Sequence, residues 1–142
     1  GQPESGRWLR LPGRQPQLQP LQPGRRRHLY PVAQLERLSH EECWVVYLTS
    51  SNRVIERYRI SQGGVTGTVV DHRLIVKRAL ELLATQLVLI HNHPSGAAAP
   101  SPQDKVLTER VAQAAALFDI RLLDHIIIAR EGDFSFLRAG LV

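Results

Sequence analysis

From residue 32 onward, hydrophobic and polar positions alternate with a readable period. Val32, Leu35 and Leu38 recur every three residues and predict a short helix from Pro31 to Leu38. Glu41 to Leu48 is rich in β-formers and reads as a strand, with Glu41, Cys43, Val45 and Tyr47 on one face and Glu42, Trp44, Val46 and Leu48 on the other. Ser50-Ser51-Asn52 predicts a turn, and Arg53 to Ile60 a returning strand, so the pair forms a hairpin. Gly63, Gly64 and Gly67 mark a loop. Asp71 then suits the N-cap of a helix running to about Ala84, with Ile75, Ala79, Leu82 and Leu83 on its inward stripe. The wholly apolar run Leu87 to Ile90 predicts a central strand covered on both faces. A second long helix is expected from Pro102 to about Phe118, facing inward through Leu107, Val111, Ala114, Ala115 and Phe118. Arg121 to Ala129 reads as an isoleucine-rich strand, Glu131-Gly132-Asp133 as a turn, and Phe134 to Leu137 as a last short strand. Interleaved strands and helices of this kind predict an α/β (mixed α+β) domain, a mixed sheet packed between helices, with no internal repeat.

The first 31 residues break the pattern. They hold six of the nine prolines and the run Arg25-Arg26-Arg27, with few apolar residues at any fixed period. Such a segment buries too little surface to offset its ordering entropy, so residues 1–31 are expected to be a disordered or extended arm and 32–142 the folded domain. Charge divides the same way. Residues 1–30 carry six arginines against Glu4, whereas the other 112 residues balance 12 basic with 12 acidic side chains, so the net +5 belongs to the arm. Nucleic-acid binding through the arm is open, but no aromatic interleaving supports base stacking.

The single Cys43 excludes a disulfide framework and a cysteine-based zinc site. No run is long enough to span a bilayer, and no apolar signal core opens the chain, so a cytoplasmic location without membrane contact is the expectation. Methionine is absent, position 1 included, which suggests a fragment.

Candidate chemistry concentrates in LVLIHNHPSGAAAPSPQD, Leu87 to Asp104. His91 and His93, two apart at a strand end, project to one side and can share an ion, and Asp104 is returned to them by a loop through Pro94, Gly96 and Pro100. Zinc with three protein ligands keeps a fourth position for water, as a hydrolytic site requires. Each residue also has a plainer use. The histidines suit a hydrogen-bonded pair at a loop mouth, and Ser101-Pro102-Gln103-Asp104 is a sound helix start in which Asp104 favours the dipole with or without metal. Other metal-hydrolase patterns fit poorly: a zinc deaminase needs paired cysteines, and an amidohydrolase barrel needs about 250 residues.

H-x-H-P-x(6)-S-x-x-D, from His91 through Ser101 to Asp104, resembles the JAMM signature of the JAB/MPN metalloproteases. HNHPSG at 91–96, the Pro100-Ser101 step and LDHIII at 123–128 resemble the RadC branch of that superfamily, over roughly residues 38–142. The resemblance implies that His91, His93 and Asp104 ligate Zn2+ and that Ser101 assists the tetrahedral intermediate. It also implies an upstream glutamate that deprotonates the zinc-bound water. The family pattern E-x-Φ-x-Φ-x-x-L (Φ apolar), matched onto Leu48, makes that residue Glu41, with Glu42 on the opposite face.

The reaction so implied is hydrolysis of a peptide or isopeptide bond in an unidentified peptide or protein substrate. Two rivals stand beside it: a DNA-repair-associated accessory protein, and a metal-binding interaction module without turnover. The chain departs from the family at His72-Arg73-Leu74, where Pro-Arg-Glu is usual, and residues 1–37 do not resemble the helix-hairpin-helix region of full-length RadC proteins. Asp124 and His125 match the family's LDH, with a core or supporting hydrogen bond as the expected role. Oligomeric state is not indicated.

Overall fold

The computed structural model describes residues 32–62 and 70–142. The expected arm and the glycine loop lie outside them. The described elements are α1 (Val32–Arg37), β1 (Glu42–Leu48), β2 (Val54–Gln62), α2 (His72–Leu82), β3 (Gln86–Asn92), α3 (Pro102–Ala116), β4 (Arg121–Ala129) and β5 (Gly132–Ser135). The strands form one five-stranded mixed sheet in the order β2-β1-β3-β4-β5. β1 runs antiparallel to both neighbours, β3 and β4 are parallel, and β5 returns antiparallel to β4. The parallel pair needs a crossover, and α3 supplies it.

Both faces of the sheet are covered. On one, Val46, Leu48, Val88, Ile90, Ile126 and Ile128 pack with Leu35 of α1. On the other, Val45, Tyr47, Leu87 and Leu89 pack with Ile75 and Ala79 of α2 and Val111 and Ala115 of α3. Each fully buried Leu, Ile or Val removes enough apolar surface from water to stabilise the fold by about 1.5–3 kcal/mol. Polar contacts set the helices in place: the Tyr47 hydroxyl donates to the Ile75 carbonyl at 2.8 Å, and Arg78 grips both oxygens of Glu56 at 2.8 and 2.6 Å.

Helix ends differ from the sequence pattern. α2 stops at Leu82, and Leu83 becomes its left-handed cap at φ 54°, 83% exposed, not part of the inward stripe. α3 stops at Ala116, and Phe118 lies 52% exposed beyond it, again not inward. Its place in the core is taken by Ile120, which enters β4. The last strand is shifted to Gly132–Ser135, so the turn precedes Gly132.

Candidate metal centre

His91 is the penultimate residue of β3 and extends the face of Leu87 and Leu89 toward the helices. It is 4% exposed, more buried than a loop mouth would make it. Asn92 between the histidines points to the other face. Its Oδ1 accepts the Glu42 amide at 2.7 Å and its Nδ2 donates to the His40 carbonyl at 2.9 Å, tying the start of β1 to the end of β3. After Asn92 the chain leaves the sheet, with the His93 amide still bonded to the Ile128 carbonyl at 2.9 Å. The loop turns at Gly96, whose φ of +97° suits glycine and whose missing Cβ would lie 2.7 Å from the Arg130 guanidinium. Arg130 donates to the Pro94 and Ser95 carbonyls across that gap.

The loop delivers Ser101 as the N-cap of α3, and the expected capping box is complete. Ser101 Oγ accepts the Asp104 amide at 3.1 Å, and Asp104 Oδ2 accepts the Ser101 amide at 2.8 Å. The cap uses a hydroxyl lone pair, so the Ser101 proton stays available to donate; its two expected roles compete only through the rotamer.

The structure brings His91, His93 and Asp104 together. His91 Nε2 lies 3.1 Å from Asp104 Oδ1, His93 Nε2 lies 3.0 Å from Asp104 Oδ2, and the two Nε2 atoms are 3.0 Å apart. One donor atom from each falls within 4.8 Å of the others. Tetrahedral zinc with bonds of about 2.0–2.1 Å holds its ligands about 3.3–3.4 Å apart, so this donor set fits such an ion after only small movements. Two imidazole nitrogens 3.0 Å apart also call for a cation or proton between them.

Electrostatics agree with the geometry. Burial would push the Asp104 carboxyl up, but hydrogen bonds from His91 and His93 hold it well below the usual carboxylate range. The bond to Asp104 raises His93 against a desolvation penalty, helped by its contact with the Ala97 carbonyl and by the charges of Asp104 and Glu41.

Glu41 sits just before β1. Cys43 pairs with His91 in register, so the residue two earlier on that face reaches the level of His93. A pocket of about 30 Å³ lies there, lined by Glu41, Glu42, Cys43, Val70, His91, Asp104 and Leu107. That is room for one or two water molecules. The buried Cys43 thiol is pushed up to about 12 by desolvation and by Asp104 and Glu41, which makes it a neutral wall. Glu42 faces the opposite side, where Trp44 Nε1 donates to it at 3.0 Å and His40 lies 3.1 Å away.

Two neighbours support the cluster: His125, for which a core or supporting hydrogen bond is expected from the sequence, and Thr108, which the sequence does not single out. His125, 0% exposed, places Nε2 2.6 Å from His91 Nδ1, and Thr108, 2% exposed, places Oγ1 2.5 Å from His125 Nδ1. Burial, with the nearby His91, pushes His125 well below the ordinary histidine range. Thr108 follows Asp104 by one helical turn, the signal that could have found it. Asp124 has a structural role: it accepts the His125 and Leu137 amides and the Ser135 hydroxyl, joining β4 to the C-terminal turn.

A mixed sheet between helices, with a histidine pair at the end of a central strand and a carboxylate at a facing helix start, defines a JAB-type domain. The family model described as "RadC-like JAB domain" matches residues 25–141, and the chain belongs to that family. It is 46% identical over 104 residues to a UPF0758 protein of Flavobacterium johnsoniae, covering 73% of this chain and 45% of that one. To a UPF0758 protein of Porphyromonas gingivalis it is 47% identical over 106 residues, covering 74% and 47%. To one of Leptothrix cholodnii it is 45% identical over 109 residues, covering 77% and 49%. The chain thus spans about half the length of these relatives. Among the described residues no helix is long and apolar enough to cross a membrane.

Proposed function

We propose that the domain is a zinc-dependent hydrolase of the JAMM type that cleaves a peptide or isopeptide bond. The observation that supports this most is the convergence of His91 Nε2, His93 Nε2 and the Asp104 carboxylate beside a water-sized pocket lined by Glu41. These three residues would hold the ion. When bound, zinc would supply Lewis acidity there, toward a water molecule and the scissile carbonyl.

The chain's own groups do the rest. Glu41 takes the proton of the attacking water and returns it to the departing amine nitrogen, as base and then acid, so that water and amide become carboxylic acid and amine. Ser101, with its lone pair given to the α3 cap, donates its hydroxyl proton to the carbonyl oxygen as negative charge gathers. A preorganised donor of this kind lowers the barrier by about 3–4 kcal/mol. Cys43 stays protonated and takes no part.

Metal analysis and turnover of a peptide and isopeptide library test this reading. The wild-type protein is expected to hold one zinc, His93→Ala to lose it, and Glu41→Gln to keep it while turnover falls by about 10²–10⁴-fold. Zinc retained by His93→Ala, or turnover unchanged in Glu41→Gln, refutes it.

A second reading draws on the six arginines of residues 1–30: a DNA-repair-associated accessory protein that contacts nucleic acid through this segment. Salt-sensitive DNA binding that disappears when residues 1–30 are removed, with no cleavage of any peptide, would favour it.

A further inference from the structure

We infer that Thr108 and His125 act as positioning residues that fix the tautomer of His91, keeping its Nδ1 protonated and its Nε2 lone pair turned toward His93 and Asp104. The inference deepens the zinc reading and rests on it.

The two histidines of the cluster are secured differently. His93 Nδ1 lies 3.0 Å from the Ala97 carbonyl oxygen. A carbonyl only accepts, so Nδ1 carries a hydrogen and Nε2 is the nitrogen left to give up its proton to a metal. His91 Nδ1 instead faces another imidazole, His125 Nε2, at 2.6 Å. An imidazole donates or accepts according to its own tautomer, so this contact alone leaves His91 undetermined.

Thr108 removes the ambiguity. Its hydroxyl lies 2.6 Å from the Asp104 carbonyl one turn back, and that oxygen accepts the single hydroxyl hydrogen. The hydroxyl oxygen therefore accepts from its other neighbour, His125 Nδ1. With its hydrogen on Nδ1, the neutral His125 ring presents a lone pair at Nε2, and His91 Nδ1 must donate to it. The hydrogen-bond directions run from His91 to His125 to Thr108 to the backbone of α3, the helix that also carries Asp104.

The ring has little freedom to do otherwise. Phe136 stacks on His125 at 4.6 Å between centroids and 9° between planes, and both residues are buried to 1% exposure or less. A charged imidazolium there would be poorly solvated. The opposite tautomer of His125 would place a hydrogen on His91 Nε2, facing the other two donors and blocking coordination. Outer hydrogen bonds of this kind commonly change metal affinity about 10–100-fold.

The test pairs each disruptive variant with a conservative one. Thr108→Val keeps the volume and loses the acceptor, whereas Thr108→Ser keeps it. His125→Leu removes both ring nitrogens, whereas His125→Gln offers an acceptor to His91 and a donor to Thr108. Long-range ¹H–¹⁵N spectra of the imidazoles report the tautomers directly, and chelator competition reports zinc affinity.

Expected are a protonated Nδ1 on His125 in metal-free wild type and on His91 when zinc is bound. Thr108→Val and His125→Leu should weaken zinc about 10–100-fold, and Ser and Gln should recover most of the loss. Should His125→Leu fail to fold, the Thr108 pair decides. Hydrogen on His125 Nε2 in the wild type, or wild-type zinc affinity in Thr108→Val, overturns the inference. Wild type that takes up no zinc refutes the hydrolase reading instead, and the metal-free His125 tautomer then decides the relay by itself.

Discussion

Asp104 carries three jobs at one position. Its side chain closes the capping box of α3, lies 3.0–3.1 Å from the Nε2 atoms of both histidines, and completes the candidate donor set. The bond from His93 to Asp104 raises the His93 pKa, so in the metal-free protein that ring keeps its second proton above pH 6.5. A metal must displace that proton. Divalent-metal affinity should therefore climb as pH rises past 6.5, by up to about tenfold per pH unit, and level off once the folded-state pKa is passed. The same sign holds for stability: what the pair contributes without metal is fully present below pH 6.5 and lost as pH rises through the folded His93 value. Chelator-competition titrations from pH 6 to 9 check the binding slope, and a flat profile would show that His93 is not a ligand. The S-P-x-D spacing made Asp104 readable in the sequence, and period-two alternation separated Glu41 from Glu42. His125 was readable only through the LDH resemblance, and Thr108 escaped because its contact joins α3 to β4, which no local period reports.

Among the elements, the loop from β3 to α3 decides whether the donors meet. It reverses at Gly96 and is stitched to the end of β4 by Arg130 and by the Glu131 amide, which donates to the Gly96 carbonyl at 3.0 Å. An alanine at Gly96 meets two obstacles, a backbone at φ +97° and a Cβ 2.7 Å from the guanidinium. Arg130 is exposed and can yield, but the backbone cannot, so Gly96→Ala should cost about 1–3 kcal/mol and weaken metal uptake with it. Urea unfolding beside metal titration checks this; unchanged stability would mean that the loop tolerates another path. The interiors of β1, β3 and β4 were legible as runs of β-forming residues buried on both faces, and that of α3 by its helical period. The helix ends were not. Leucine at position 83 is an unusual left-handed cap, and the chain turns again at Asp119, φ 58°, before Ile120 re-enters the core, so neither Leu83 nor Phe118 follows the helical stripe.

For the whole domain, the sheet order brings the C-terminal end of β3, the N-terminus of α3 and the start of β1 to one place. Parallel β3 and β4 direct the crossover helix so that its positive end faces the histidines, which favours an ionised Asp104. Antiparallel β1 delivers Glu41 from the other side of β3. This convergence is what the RadC-like JAB fold contributes, and hydrolysis would follow from filling it with an ion. A zinc-edge anomalous difference map of the zinc-loaded protein tests it most directly. One peak is expected at about 2.0–2.2 Å from His91 Nε2, His93 Nε2 and an Asp104 oxygen, with Glu41 facing the open side. A peak elsewhere, or none from protein carrying stoichiometric zinc, would contradict the assignment.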